Sequence, residues 1–460
     1  MQTFSREPPQ TLAATLRYRR QRLADQVDFP VVLWSGLPRP RNFPANVYPF
    51  RASSHFLYFA GLPLPQAAIR LEQGQMTLFM DEATPEAALW HGPTPQRDAI
   101  ATSLGADNAY PYAELAQHLA GAATLGAPDA ATLAAQQQTL QRSVSPAQAI
   151  DQQLAQAIVN LRLTHDAPAI HEVRRAAAVS VAAHRAGMAA TPTATTEATI
   201  RAAMESLIMA QGMTCAYNSI VTVHGEVLHN EQYHHPLNPG DLLLADVGAE
   251  TESGWASDIT RTWPVSGQFS PTQRDLYEIV LAAHDTCIAQ AEPGIEYREL
   301  HLLAGRVLAA GLVDLGILNG EPDSLVEQDA HALFFPHGVG HLLGLDVHDM
   351  EDLGDLAGYA PGRTRSDRFG LCFLRLDRPL QTGMIVTIEP GFYQVPGILN
   401  DPQRRDHYRQ VVNWERLEHF ADVRGIRIED DVLITDSGCE VLTAALPTQA
   451  SEIEAMTLQT

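Results

Sequence analysis

The chain has 460 residues, 45% of them hydrophobic and 18% charged, with 54 acidic against 31 basic side chains and a formal net charge of -23. This length exceeds what one core usually organises, so two domains are expected, and the acidity excludes a phosphate-tracking surface and with it a nucleic-acid partner. No run reaches the ~18 apolar residues of a membrane span, and the opening M-Q-T-F-S-R-E-P-P-Q lacks the apolar heart of a secretory leader, so a cytoplasmic location and no membrane partner are expected.

Thr11 to Val27 interleaves apolar and arginine positions and predicts a helix, with Arg19 and Arg20 on its solvated face. Val31–Trp34, Ala68–Leu71 and Thr77–Met80 are short apolar runs that read as buried strands, so the chain should begin with a small α/β domain. From Ala113 to Leu163 the sequence turns Ala- and Gln-rich and helical, with Ser145 and Pro146 as a helix start. A boundary is expected there, giving domains 1–160 and 161–460. Asp166 ahead of Ala167-Pro168 predicts the cap of a long helix running through Ala189, and Thr195-Thr196 opens a second. Strands are expected at Ser219–Val223, Asp241–Val247 and Asp258–Trp263, then a helix pair over Gln273 to Gly316, then a strand-rich last third ending at Val432–Thr435. Cys215, Cys287, Cys372 and Cys439 are far apart without C-x-x-C spacing and are expected as buried thiols. His234 and His235 read as loop surface.

Five side chains of metal-ligand type fall in short motifs of the second half. They are Asp246 in L-L-A-D-V-G, Asp258 in W-A-S-D-I-T-R-T, His341 in H-G-V-G-H-L-L-G-L-D-V-H-D, Glu389 in V-T-I-E-P-G-F-Y and Glu429 in G-I-R-I-E-D-D-V. Four ionised carboxylates carry about −4, which a buried site tolerates only beside cations, because an unpaired buried carboxylate costs several kcal/mol. Oxygens plus one imidazole suit Mn²⁺, Co²⁺, Fe²⁺ or Zn²⁺, and two such ions would match that charge and activate a water for hydrolysis. Singly, each residue has an ordinary alternative: a strand Asp is a turn or cap residue, H-x-x-x-H recurs by chance, and E-P-G is a strand ending in a turn. The set in this order points to a two-metal hydrolase.

Asp246 and Asp258 flank the turn T-E-S-G, so a hairpin would set both carboxylates on one face about 5 Å apart. Their even separation requires an odd-length loop or a bulge, with Gly254 at positive φ as the place to absorb it. Arg427 and Glu429, two apart in an apolar strand, face the same way. Gly338, Gly340 and Gly344 read as positions of close backbone approach, since no P-loop or dinucleotide motif is present.

From Leu161 to Met456 these motifs resemble the metallopeptidase family of Xaa-Pro aminopeptidases, prolidases and methionine aminopeptidases. Within Thr11 to Leu140, Y-P-F-R-A-S-S-H-F-L-Y-F-A-G (Tyr48–Gly61) resembles the amino-terminal domain of the proline-specific members. The resemblance implies an α/β (α+β) chain, a small α/β domain followed by a pita-bread catalytic domain with a pseudo-two-fold pair of helix–strand halves. It implies two divalent metal ions, Mn²⁺ first and Co²⁺ or Zn²⁺ as alternatives. Asp246 would bind one ion, His341 and Glu389 the other, and Asp258 and Glu429 would bridge. The Asp246–Asp258 spacing is one residue longer than the family's. Glu389 would serve as general base and acid, Arg427 would orient the carboxylates, and His229, His337 and His348 would donate hydrogen bonds to the developing oxyanion and the substrate backbone. Phe373–Met384 and the tail from Gly397 resemble prolidases, placing Arg375, fourteen residues before Glu389, on the carboxylate of a dipeptide, although the stretch between His348 and Arg375 is longer than in those relatives. The expectation is a prolidase, an Xaa-Pro dipeptidase acting on Xaa-Pro dipeptides as a homodimer, with a tetramer as the alternative assembly. The alternative activity is an Xaa-Pro aminopeptidase on longer peptides, and the remote one a non-catalytic peptide-binding protein on the same fold.

Overall fold

The first helix, Leu12–Ala24, starts at Thr11, whose hydroxyl accepts from the Ala14 amide. Its Arg19 and Arg20 are buried, not solvated as the pattern predicts. Long aliphatic stems carry each guanidinium across the apolar edge to backbone acceptors: Arg19 donates to Tyr58 O at 3.1 Å, and Arg20 to Gly105 O at 2.8 Å. Burial lowers the Arg20 pKa to about 10. This helix covers a four-stranded sheet of Val31–Trp34, Ala68–Glu72, Gln75–Phe79 and Asn108–Tyr110, antiparallel but for the last pair. Val32, Trp34, Ala68 and Phe79 pack with Leu115 and Leu119 as its core.

The computed structural model describes residues 11–145 and 148–458, and among these the chain separates into two units, one ending at Leu163 and the other beginning at Thr164. Pro146 of the predicted helix start lies outside the described residues; the helix there is Ala149–Arg162, with Gln148 at its N-cap. No helix among the described residues is long and apolar enough to cross a membrane.

In the second unit the order of helix pair followed by antiparallel sheet occurs twice. Asp166 caps Ala167–Ala190 by accepting from the Ala169 amide, with Pro168 in the first turn, as predicted. Glu197–Ala210 completes the first pair, and Ile220–Thr222, Leu242–Asp246 and Thr260–Pro264 form the first sheet. The second pair is Pro271–Gln290, opened by a Ser270/Gln273 capping box, and Tyr297–Asp314. The second sheet is Ile385–Ile388, Asp430–Thr435 and Gly438–Val441. The chain therefore ends later than the predicted last strand, with that third strand and a helix, Ala450–Leu458. Isolated bridges Thr260↔Glu429 and Leu342↔Val386 join segments distant in sequence. All four cysteines are free, but only Cys287 is fully buried; the other three are half-buried. His235 is more than loop surface: its Nδ1 meets Glu197 Oε2 at 2.8 Å, and Glu197 is fully buried.

Candidate metal centre

Thr260, not Asp258, stands opposite Asp246 in the hairpin. The rungs Val247–Ile259, Ala249–Ser257 and Thr251–Trp255 keep that register down to the turn, where Gly254 has φ +91°. The turn is odd in length, as parity demands, but it is centred one residue too late for direct opposition. Asp258 precedes the strand and is diagonal to Asp246 on the same face, a separation that carboxylates can still span. The phenol of half-buried Tyr217 marks how near they come, with its oxygen 2.6 Å from Asp246 Oδ1 and 2.5 Å from Asp258 Oδ1.

Three more segments deliver the remaining groups. Glu429 lies beside Thr260, whose hydroxyl donates to Glu429 Oε2 at 2.6 Å. Val339 O accepts from the Glu389 amide and His341 O from the Thr387 amide, so H-G-V-G-H runs along V-T-I-E. A Cβ on Gly340 would lie 2.2 Å from Thr387 O, the close approach expected of that glycine. His341 Nε2 is then 3.4 Å from Asp258 Oδ2 and 3.6 Å from Glu389 Oε1. Donor atoms of Asp258, His341 and Glu429 all lie within 4.8 Å of one another.

Arg427 is the buried cation of this group. Its guanidinium donates to Asp246 Oδ2 at 2.6 Å, Thr260 Oγ1 at 2.9 Å and the Tyr393 hydroxyl at 3.0 Å. One guanidinium among four carboxylates leaves a deficit. Burial, then repulsion from Asp246, raises the Asp258 pKa well above the ordinary range. Burial, then Asp258, does the same to Glu429, and burial raises Glu389 to about 7. Carboxyls of this kind, converging with one imidazole and no thiolate, fit hard or borderline divalent cations.

All ten predicted site residues line one cavity of about 500 Å³. Desolvation lowers the His341 pKa well below its usual value and that of His337 to about 3, so both rings are neutral. His341 Nδ1 donates to Leu342 O at 3.0 Å, leaving the Nε2 lone pair for a metal. His337 Nδ1 lies 2.8 Å from Gly338 O and 3.6 Å from Glu389 Oε2, and its Nε2 is 2.8 Å from the Tyr393 hydroxyl. His348 Nδ1 donates to Glu351 Oε2 at 2.5 Å, and His229 is exposed at the cavity wall. Arg375 reaches the cavity despite the long segment before it, and there Glu351 pairs with it.

Sequence reasoning missed Tyr217, Thr260, Tyr393 and Glu351. Thr260 and Tyr393 stand two and four residues beyond predicted ligands, and same-face parity could have found Thr260. Tyr217 and Glu351 carry no such signal.

Residues 171–436 match the model of metallopeptidase family M24, and residues 16–129 that of the aminopeptidase P N-terminal domain. The Xaa-Pro aminopeptidase of Escherichia coli (strain K12) is 32% identical over 462 residues, covering 95% of this chain and 96% of that protein. A probable Xaa-Pro aminopeptidase of Penicillium rubens is also 32% identical, over 425 residues and 89% of each chain. Among solved structures, zinc-substituted E. coli aminopeptidase P in complex with product superimposes with a TM-score of 0.79 at 28% identity, covering 96% of this chain and 98% of that one. Pseudomonas aeruginosa aminopeptidase PepP gives 0.78 at 31%, with 96% and 97% covered.

Proposed function

The chain belongs to metallopeptidase family M24, and from that premise we propose that it is an Xaa-Pro aminopeptidase, releasing the first residue of peptides whose second residue is proline. This replaces the expected dipeptidase. Similarity over nearly the whole chain to proteins named Xaa-Pro aminopeptidase supports the change, as does the engagement of Arg375 by Glu351. The observation that carries the reading is the convergence of Asp246, Asp258, His341, Glu389 and Glu429 on one cavity. These five would hold two divalent ions, with Mn²⁺ favoured by the oxygen-rich donor set. When bound, such ions supply Lewis acidity and an activated water at neutral pH.

The chain's own groups do the rest. Glu389 takes the proton of the attacking water and returns it to the proline nitrogen as the bond breaks. Arg427 fixes Asp246 directly and Glu429 through Thr260, so these carboxylates keep the spacing that two ions would need. His337 acts at one remove, holding the Tyr393 hydroxyl that Arg427 also reaches. His229 and His348 position the substrate backbone, and Leu228, Pro336 and Val395 offer an apolar wall to the proline ring. The test is a panel of Ala-Pro-Ala, Ala-Pro and Ala-Ala-Ala with Mn²⁺-loaded and chelated protein. Cleavage of Ala-Pro-Ala to alanine and Pro-Ala only in the loaded protein is expected. A preference for Ala-Ala-Ala, or full activity in verified metal-free protein, would refute it.

A further inference from the structure

An arginine in a substrate cavity attracts a carboxylate only with the charge it still has to offer. Arg375 lines the cavity, and the Glu351 carboxylate pairs with it. The other oxygen of Glu351 accepts from His348 Nδ1 at 2.5 Å, a bond that lowers the Glu351 pKa and keeps the side chain ionised. Both partners sit on one segment, between His348 and Leu376, whose backbone is fixed at several points. Before Glu351, buried Met350 adopts φ +59°, a left-handed conformation that a side chain other than glycine takes only when its surroundings impose it. On the other side, Gly358 packs so closely that a Cβ there would lie 2.2 Å from Arg375 O. Arg365 ties the same segment down, donating to Leu374 O at 2.7 Å and to Asp355 at 2.6 Å.

We infer that Glu351 is a specificity-determining residue: by neutralising Arg375 it makes the cavity refuse the carboxylate that a dipeptide carries one residue beyond the scissile bond. The inference rests on the proposed Xaa-Pro peptidase activity. A longer peptide presents an amide carbonyl at that place, which can accept from the guanidinium while Glu351 stays. A dipeptide's carboxylate must either lie beside Glu351, like charge against like, or displace it from both Arg375 and His348.

Ala-Pro and its amide have the same size and differ in charge, so their kcat/KM ratio isolates this effect. Glu351→Gln keeps the shape and removes the charge. In the metal-loaded protein it should raise the Ala-Pro to Ala-prolinamide ratio tenfold or more, equivalent to about 1.4 kcal/mol. Adding Arg375→Met should return the ratio to its starting value. Any change transmitted through His348 alters both substrates alike and cancels. An unchanged or lower ratio in Glu351→Gln overturns the inference, as does a gain that survives Arg375→Met. If a variant turns over neither compound, calorimetric binding of the same pair reads the same ratio. Failure of the wild type on Ala-Pro-Ala would instead refute the aminopeptidase reading, and the amide ratio would still judge Glu351 alone.

Discussion

Replacing Arg427 with methionine should destabilise the metal-free protein far more than the metal-loaded one. The guanidinium is 4% exposed and donates to Asp246, Thr260 and Tyr393. Without metal, Asp246 would keep only the Tyr217 hydroxyl among these contacts. Removing one member of a buried ion pair typically costs about 3–5 kcal/mol, because the other charge stays behind. For a unit of this size that is about 2 °C per kcal/mol, so the chelated variant should melt roughly 6–10 °C below the chelated wild type. With divalent ions bound, Asp246 has cations beside it, and the loss shrinks to the polar partners left at Thr260 and Tyr393. Those bonds are worth about 1–2 kcal/mol, hence a shift of roughly 2–4 °C. Calorimetric melts of both proteins, with Mn²⁺ and after exhaustive chelation, give the four values required. Equal shifts in the two conditions would refute the argument, since they would mean that Arg427 does not share its task with the metal.

Loading chelated protein with Mn²⁺ at pH 7 should release between about one and three protons per chain, because Asp258, Glu389 and Glu429 hold protons above the ordinary carboxyl range until cations arrive; titration calorimetry in buffers of different ionisation heat counts them, and zero release would contradict the crowded-carboxylate account. Glu389→Gln should lower kcat by about 10²–10⁴ with an unchanged far-ultraviolet spectrum, and near-wild-type turnover would remove Glu389 from proton transfer. His331 is buried with its pKa lowered by desolvation from 6.5 to about 3, so the unfolded chain gains its proton first, and stability is lost as pH falls from about 6.5 toward 3. His331→Leu should therefore gain about 2 kcal/mol relative to wild type between pH 8 and pH 5, measured by urea unfolding of the chelated proteins, whereas a pH-independent difference would rule the linkage out.

What the sequence made legible was whatever depends on neighbours along the chain. The Asp166 cap is a three-residue event, and the Gly340 approach is foretold by a residue that has no side chain to place. The five ligand types could be identified because each sits in a short motif of neighbouring residues, even though only Asp246 lies within a regular strand. Burial of Arg19 and Arg20 was hidden because a 3.6-residue period says which face an arginine leaves from, not how far its stem reaches or which carbonyl waits at the end.

Register was the harder case. Parity fixed the face shared by Asp246 and Asp258 and the odd length of the turn, yet one register and its neighbour two residues on satisfy the same parity. Only the placement of the turn around Ser253 puts Thr260 opposite Asp246 and moves Asp258 to the diagonal. That displacement gives Thr260 its part: it stands where a second carboxylate was expected, accepting from Arg427 and donating to Glu429. The same limit applies to Arg375. The fourteen-residue spacing from it to Glu389 fixes neither its reach nor its charge, because its partner arrives from the turn after His348, twenty-four residues earlier. A motif can thus place an arginine at a cavity while the residue that pairs with it lies outside the motif, and that pairing is what the fourteen-residue spacing to Glu389 could not reveal.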